Sequence, residues 1–353
     1  MTLYKFVSLG AHDHSERALR VELWRGEVLE SAHSVHAALV DESGALIASL
    51  GDPQLVTTGR SALKPFQLWS GLRRGVRERY QLSDAELALM CASHNGEPRH
   101  VALCEQLLER LGRGVEDLEC GAHAPYHAPS AEAVLRAGGR FTAAHNNCSG
   151  KHCGMLALSA QLDASSSSYL SLEHPSQQAI FEDLRRLLGE ERAFKVGTDG
   201  CSLPTPALSL SELARLFARL AAGRLSPSEP QDQHLEAIFK AMSGAPELVA
   251  GEGRFDSAMM SAMEGALVCK VGGEAVRGFA LRAPDGSRYG LALKVVDGAM
   301  RALHPACLAT LARCGFIRLD ELPARLARFI SSPEQNWRGF EVTELRVSAA
   351  ELP

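Results

Sequence analysis

Nine consecutive residues, Asn146-Asn147-Cys148-Ser149-Gly150-Lys151-His152-Cys153-Gly154, hold two thiols, an amine, an imidazole, two amides and a hydroxyl, and no bulky apolar side chain. A segment destined for a core needs apolar surface, and polar groups at this density are costly to bury unless each is paired. Chemistry explains the segment better than a structural turn does. Cys148 and Lys151 stand three apart, and a second thiol of the same kind is Cys201, in Gly197-Thr198-Asp199-Gly200-Cys201-Ser202-Leu203-Pro204. Both cysteines sit in Gly-rich polar turns rather than apolar runs, where a thiol can react or bind metal. Two thiolates with His152 or a water would suit Zn2+, although the spacing contains no tight Cys-x-x-Cys pair. Cys153 reads as a small buried side chain.

A second constellation is Ser61-Ala62-Leu63-Lys64. On a helix, residues three apart share a face, so the Ser61 hydroxyl and the Lys64 amine can meet. If burial or nearby cations lower the lysine's pKa, Lys64 can take the Ser61 proton. Alone, the pair fits an ordinary helix start equally well, with Ser61 capping and Lys64 solvated. It is followed, however, by Ser93-His94-Asn95 and by Lys270-Val271-Gly272. Ser-x-x-Lys, Ser-x-Asn, Lys-x-Gly is the motif order of serine β-lactamases and penicillin-binding proteins, with His94 here in place of Asp and Val271 in place of Thr. In that scheme Lys64 and Ser93 relay the nucleophile's proton, while Asn95 and Lys270 orient substrate. The other histidines, among them His33, His100, His123 and His127, are scattered and read as structural. The stretch from Ala122 to His127 reads as a solvent-facing loop.

These residues need elements to hold them. Residues 18 to 51 read as strands, with Arg25-Gly26-Glu27 and Asp41-Glu42-Ser43-Gly44 as turns. A matching hairpin runs from Val276 to Arg282, through Pro284-Asp285-Gly286, to Tyr289 to Val296. Between them the chain looks helical: a capping box at Ser83-Asp84-Ala85-Glu86 opens one helix, and helical spacing recurs over 99–111, 176–188 and 210–222, the last stopped by Gly223. Further helices are expected over 299–314 and 322–330. Strands from both ends with helices between them predict an α+β fold, an antiparallel sheet formed from both chain ends and covered by helices. We expect one domain over 1–353, with a sheet-containing lobe (about 1–60 and 265–353) and a mainly helical lobe (about 61–264).

Composition narrows the function. A net charge of −5, and the lack of any basic run interleaved with aromatics, argue against nucleic acid and anionic membranes. No window approaches the roughly 18 apolar residues of a membrane helix, and residues 1–17 lack the pattern of a secretion leader. Nine cysteines, without a framework spacing, should stay reduced in a cytoplasmic setting. A cytoplasmic enzyme acting on a small molecule is the expectation.

Four segments together carry a specific resemblance: Gly59-Arg60-Ser61-Ala62-Leu63-Lys64-Pro65-Phe66-Gln67, Ala92-Ser93-His94-Asn95-Gly96-Glu97, Asn146 to His152, and Thr198-Asp199-Gly200-Cys201. In this order they resemble the L-asparaginase II family of rhizobial type, over most of the chain. The resemblance implies hydrolysis of L-asparagine to L-aspartate and ammonia, a β-lactamase/transpeptidase-like fold shared with glutaminases, and a homodimer. It implies Ser61 as nucleophile, Lys64 as its base partner, and Ser93 and Lys270 as further catalytic residues. Arg60, Asn95, Asp199 and His152 are the expected substrate-binding residues. It also implies a zinc ion near Cys148, Lys151 and Cys201, tuning substrate binding more than performing the reaction; a lysine ligand requires a neutral amine. Two alternatives stay open: a glutaminase or β-lactamase-like amidohydrolase using the same Ser-Lys pair, and a non-catalytic zinc- or redox-responsive binding protein on this fold.

Overall fold

The turn residues act as the sequence suggests. Strand Leu19–Arg25 reverses at Gly26, whose φ of +59° suits a residue without Cβ, into the long strand Val28–Asp41. The Asp41 carboxylate then accepts from the Ser43 and Ala45 N–H groups (2.9 and 3.0 Å) and bends the chain into strand Leu46–Leu50. In the later hairpin, strands Val276–Arg282 and Arg288–Val295 flank a turn in which Asp285 accepts from the Ser287 N–H at 2.9 Å. The computed structural model describes residues 18–348 except 190, 192 and 332; residues 1–17, read above for a leader, lie outside the described residues.

One seven-stranded sheet joins these strands in the order Glu344–Ser348, Leu19–Arg25, Val28–Asp41, Arg288–Val295, Val276–Arg282, Leu267–Gly272, with Leu46–Leu50 pairing beside Val28–Asp41. Pairing is antiparallel, with Val21 opposite Val347 and Ala38 opposite Ala292, so the sheet is indeed built from early and late parts of the chain. The fold class is α+β. A Cβ on Gly290 would lie 1.9 Å from the Ala214 carbonyl, so helix Leu210–Ala222 presses directly on that face. One residue on, Leu291 points to the opposite face, where it meets Ala37, Leu39 and, from helix Met300–Arg313, Thr310 and Arg313. Covered on both sides, Val276–Arg282 is buried at nearly every position, Arg277 included.

Contacts divide the chain into two compact units. Of the described residues, the sheet unit comprises those up to Thr57, Leu208–Ala222, and those from Cys269 onward; the helical unit comprises those of Thr58–Ala207 and Gly223–Val268. One boundary differs from expectation. Helix Leu210–Ala222, assigned by sequence to the helical lobe, belongs with the sheet, because periodicity reveals an apolar face without saying what it faces. The helix expected over 322–330 is only the short turn Ala324–Ala327.

In the helical unit, helix Asp84–Met90 has both arms of its capping box in place: Ser83 accepts from Glu86, and the Glu86 carboxylate accepts from the Ser83 N–H. Helix Ser149–Gln161 passes so close to it that a Cβ on Gly150 would lie 2.2 Å from the Leu89 carbonyl. This contact places the dense polar segment at the first turn of a buried helix. Among the described residues no helix is long and apolar enough to cross a membrane.

Candidate active site

Ser61 lies in a 3-10 turn, Arg60–Leu63, just ahead of helix Lys64–Leu72. Arg60 before it has φ +47°, a left-handed conformation that a side chain adopts only where its surroundings impose it. Those surroundings are visible: the Arg60 N–H donates to Thr205 Oγ1 (3.0 Å) and its Nε to Asp199 Oδ1 (2.8 Å). Lys64, fully buried, opens the helix. Its Nζ donates to Ser93 Oγ (3.0 Å), to the Asn147 carbonyl (3.2 Å) and to the Ala92 carbonyl. With Cys148 as a further hydrogen-bond partner, these acceptors outnumber the three N–H groups of an ammonium. The Lys64 backbone N–H donates to the Ser61 carbonyl, but among the described residues no hydrogen bond joins the Ser61 hydroxyl to the Lys64 amine, which is drawn to Ser93 and the neighbouring carbonyls instead. Burial pulls the Lys64 pKa down; Cys148 opposes the shift and Lys151 adds to it. Such an amine loses its proton more readily than an exposed lysine.

The second half of the site begins at Asn146. Its Oδ1 accepts from the Cys148 N–H (2.8 Å) while its Nδ2 donates to the Cys120 and Gly121 carbonyls, fixing the approach to helix Ser149–Gln161. Cys148 is the N-cap of that helix, and Lys151 one turn later sends Nζ to Cys201 Sγ (2.7 Å), with Asp199 Oδ2 at 3.9 Å. Cys201 and Asp199 arrive on the tight loop between strands Val196–Thr198 and Pro204–Ser209, closed by Asp199 N–H to the Leu203 carbonyl. A hydrogen bond from Cys201, then the charges of Lys64 and Lys151, hold Cys148 well below the usual thiol range in spite of burial. Cys148 is therefore the more acidic thiol of the pair. The same bond, with burial, pushes Cys201 up. Burial would lower Lys151, but Cys148, Cys201 and Asp199 together raise it. Asp199, which burial would raise, is held below its usual range by Lys151, the Gly200 N–H and Arg60.

Arg60, Asp199, Lys151, Cys201, Cys148, Lys64 and Ser93 thus form one continuous chain of contacts within the helical unit, with Ser61 next to Arg60 in sequence. Two expected site residues of the same unit are placed apart from it. Asn95 is buried and turns its Nδ2 to the Glu252 carbonyl at 3.2 Å. His152, about 100° around the helix from Lys151, is buried with Nδ1 on the Tyr169 hydroxyl (2.8 Å) rather than in the network. Lys270 belongs to the sheet unit, where it is buried in strand Leu267–Gly272 and donates to the Val271 carbonyl at 2.8 Å. Sequence reasoning missed Asn147, whose carbonyl receives Lys64, and His123, expected in a solvent-facing loop but accepting from the Asn147 N–H at 2.9 Å. The density of polar residues pointed to Asn147; no spacing rule reports a carbonyl.

As a metal site the cluster is unusual. Among the described residues no three His, Cys, Asp or Glu side chains converge on a metal-sized space, so two thiols and the Lys151 amine are the donors on offer. Thiolate sulfur and a neutral amine nitrogen are both acceptable to Zn2+.

The family model for L-asparaginase II matches residues 21–347. The chain belongs to that family, a family of amidohydrolases. By sequence, no curated protein matches it. Among solved structures, Mglu in its native form in 4.3 M NaCl superposes with a TM-score of 0.37 and 16% identity, over 80% of this chain and 62% of that one. The chain thus spans less than two thirds of the Mglu length. A β-lactamase from Sphaerobacter thermophilus DSM 20745 gives a TM-score of 0.40 and 13% identity over 81% of this chain and 92% of its own. PBP-A, as an acyl-enzyme complex with penicillin G, gives 0.39 and 11% over 82% and 91%.

Proposed function

We propose that this amidohydrolase is an L-asparaginase, working through an acyl-enzyme on Ser61. The observation that carries the reading is the Lys64 amine: fully buried, with its proton affinity reduced, and held 3.0 Å from Ser93 Oγ one turn from Ser61. In the neutral form it takes the Ser61 proton as Oγ attacks the side-chain amide carbon. The proton passes by way of Ser93 to the departing nitrogen, the C–N bond breaks, and ammonia leaves. Water then attacks the ester, returns a proton to Ser61 and releases aspartate. Backbone N–H groups of the strained turn would hold the oxyanion, a stabilisation of about 3 kcal/mol per donor. Arg60 suits the substrate's α-carboxylate and Asp199 its α-amine. Lys270 and Asn95 enter the proposal on motif order and family resemblance, His152 on family resemblance alone.

A zinc ion would be held by Cys148, Cys201 and Lys151, and when bound would supply a fixed positive charge beside the substrate. A cytoplasmic homodimer is part of the same proposal; the nine free cysteines support the compartment. A second reading has one observation in its favour: the Lys64 amine bonds the Ser93 hydroxyl and not that of Ser61, as it would if Ser93 were the nucleophile.

Ammonia release from L-asparagine and L-glutamine, with and without added zinc, tests the proposal. Asparagine-selective release is expected. Release from glutamine alone would replace the substrate, and no release from folded, zinc-loaded protein would favour a binding protein instead. Comparing Ser61→Ala with Ser93→Ala for trapped acyl-enzyme, by mass spectrometry, separates the two nucleophiles.

A further inference from the structure

His94 stands next to the hydroxyl that Lys64 holds, at the position where the related motif order carries an acidic residue. Its ring is fully buried and stacked on His100, with centroids 4.9 Å apart and planes 12° from parallel. The Gly96 N–H points at Nδ1 from 3.2 Å, so Nδ1 accepts. The other ring nitrogen, Nε2, lies 2.9 Å from Ser149 Oγ. Burial first, then His100 and Lys64, keep the ring's pKa well below its usual value. A neutral ring whose Nδ1 accepts must carry its proton on Nε2. His94 therefore donates to Ser149. Ser149 in turn hydrogen-bonds the Cys104 thiol on helix Pro98–Arg110. Each bond from Gly96 through His94 and Ser149 to Cys104 has a single direction, which an aspartate at position 94, able only to accept, would reverse at the link to Ser149.

The placement gives this chain its consequence. The Ser93 loop is tied by backbone to the carbonyls of Val249 and Ala250, each at 2.9 Å. His94 ties it by side chain to Ser149, the residue between Cys148 and the turn that carries Lys151. We propose that His94 is a positioning residue, a singly oriented donor that locks the Ser93 loop to the first turn of helix Ser149–Gln161 and so sets the spacing of Ser93 and Lys64 against Cys148 and Lys151. The proposal rests on the amidohydrolase reading above.

Four variants and one spectrum test it: His94→Phe, His94→Gln, Ser149→Ala and the His94→Phe/Ser149→Ala double variant, with long-range 15N–1H spectra of histidine-labelled parent protein. His94→Phe and Ser149→Ala should each lower kcat for amide hydrolysis by about 10- to 100-fold while KM changes little, as displacement of well-placed groups does. His94→Gln, which keeps an N–H at similar reach, should recover most of that loss. The double variant should be no worse than the poorer single one, because both break the same bond. The resonance missing from His94→Gln should belong to a neutral ring protonated on Nε2. Unchanged kcat in folded Ser149→Ala, or losses that multiply in the double variant, would overturn the proposal. Should His94→Phe fail to fold, Ser149→Ala and the spectrum decide alone. A parent protein that releases no ammonia removes the reading of function, whereas a His94 ring protonated on Nδ1 removes this inference, whatever the turnover.

Discussion

Two buried polar clusters sit in the helical unit, and they are built on opposite principles. Around Asp183, one carboxylate accepts from Ser70 Oγ (2.6 Å) and pairs with Arg73 and Arg74. Donors match acceptors, and Asp183 together with Glu182, 3.9 Å from Arg74, balances the two arginines, so the cluster ties the end of helix Lys64–Leu72 to helix Pro175–Leu188. In the candidate active site, like stands beside like: Lys64 near Lys151, Cys148 against Cys201. Proton affinities are driven apart: burial lowers one amine while the thiols and Asp199 raise the other, and the hydrogen bond between the thiols lowers one and raises its neighbour. Matched charges hold helices together; mismatched ones prepare groups to exchange protons.

The contrast can be broken most sharply at the nucleophile. Ser61→Ala should lower kcat by about 10,000-fold or more, as loss of a nucleophile does, with unfolding free energy unchanged in urea titration; retained turnover would remove Ser61 from the mechanism. Lys64→Met should match it in lost ammonia release yet unfold no more easily, and even about 1 kcal/mol less easily, because an apolar group replaces an amine that is costly to bury. Asp183→Ala should do the reverse. Leaving two arginines without their carboxylate should cost about 3–5 kcal/mol of stability, while kcat per folded molecule stays at the parent value. If Asp183→Ala instead lost turnover at full stability, the division between the clusters would fail.

Zinc affinity offers a finer probe. Cys148 is held below the usual thiol range, whereas Cys201 and Lys151 are both raised. Holding the metal through the raised groups would expel protons, so affinity should fall as the pH drops between about 8 and 6. Calorimetry in buffers of differing ionisation enthalpy counts the protons; none released would mean that these residues do not hold the metal. The smallest expected effect comes from Gly150→Ala, whose new Cβ would meet the Leu89 carbonyl at 2.2 Å. Overpacking here should cost about 1–3 kcal/mol in thermal unfolding.

Much of the fold was legible because local chemistry dictates it. Asp41 and Asp285 bend their hairpins with their own side chains, and Ser83 with Glu86 starts a helix unaided. The pairing of Leu19–Arg25 with Glu344–Ser348 has no local trace, and neither does the attachment of helix Leu210–Ala222 to the sheet. The candidate site divides similarly. Side chains rich in chemistry at Ser61, Lys64, Cys148, Lys151 and Cys201 stand out in the sequence. What could not be read was orientation: that Lys64 reaches Ser93, that a carbonyl of Asn147 receives it, that His152 turns to Tyr169, and that His94 has one fixed tautomer.

The sheet unit, made of three separate stretches of chain, also sets a timetable for biosynthesis. Strand Leu19–Arg25 emerges from the ribosome early, but its neighbour Glu344–Ser348 is synthesised more than three hundred residues later. Strand Val28–Asp41 waits likewise for Arg288–Val295. At about 5–20 residues per second, those early strands spend some tens of seconds with an unpaired edge, while the helical unit has all its residues available once Val268 is out. The nascent chain is thus most exposed to strand-mediated aggregation along Leu19–Arg25 and Val28–Asp41, and chaperone occupancy during translation should be concentrated there.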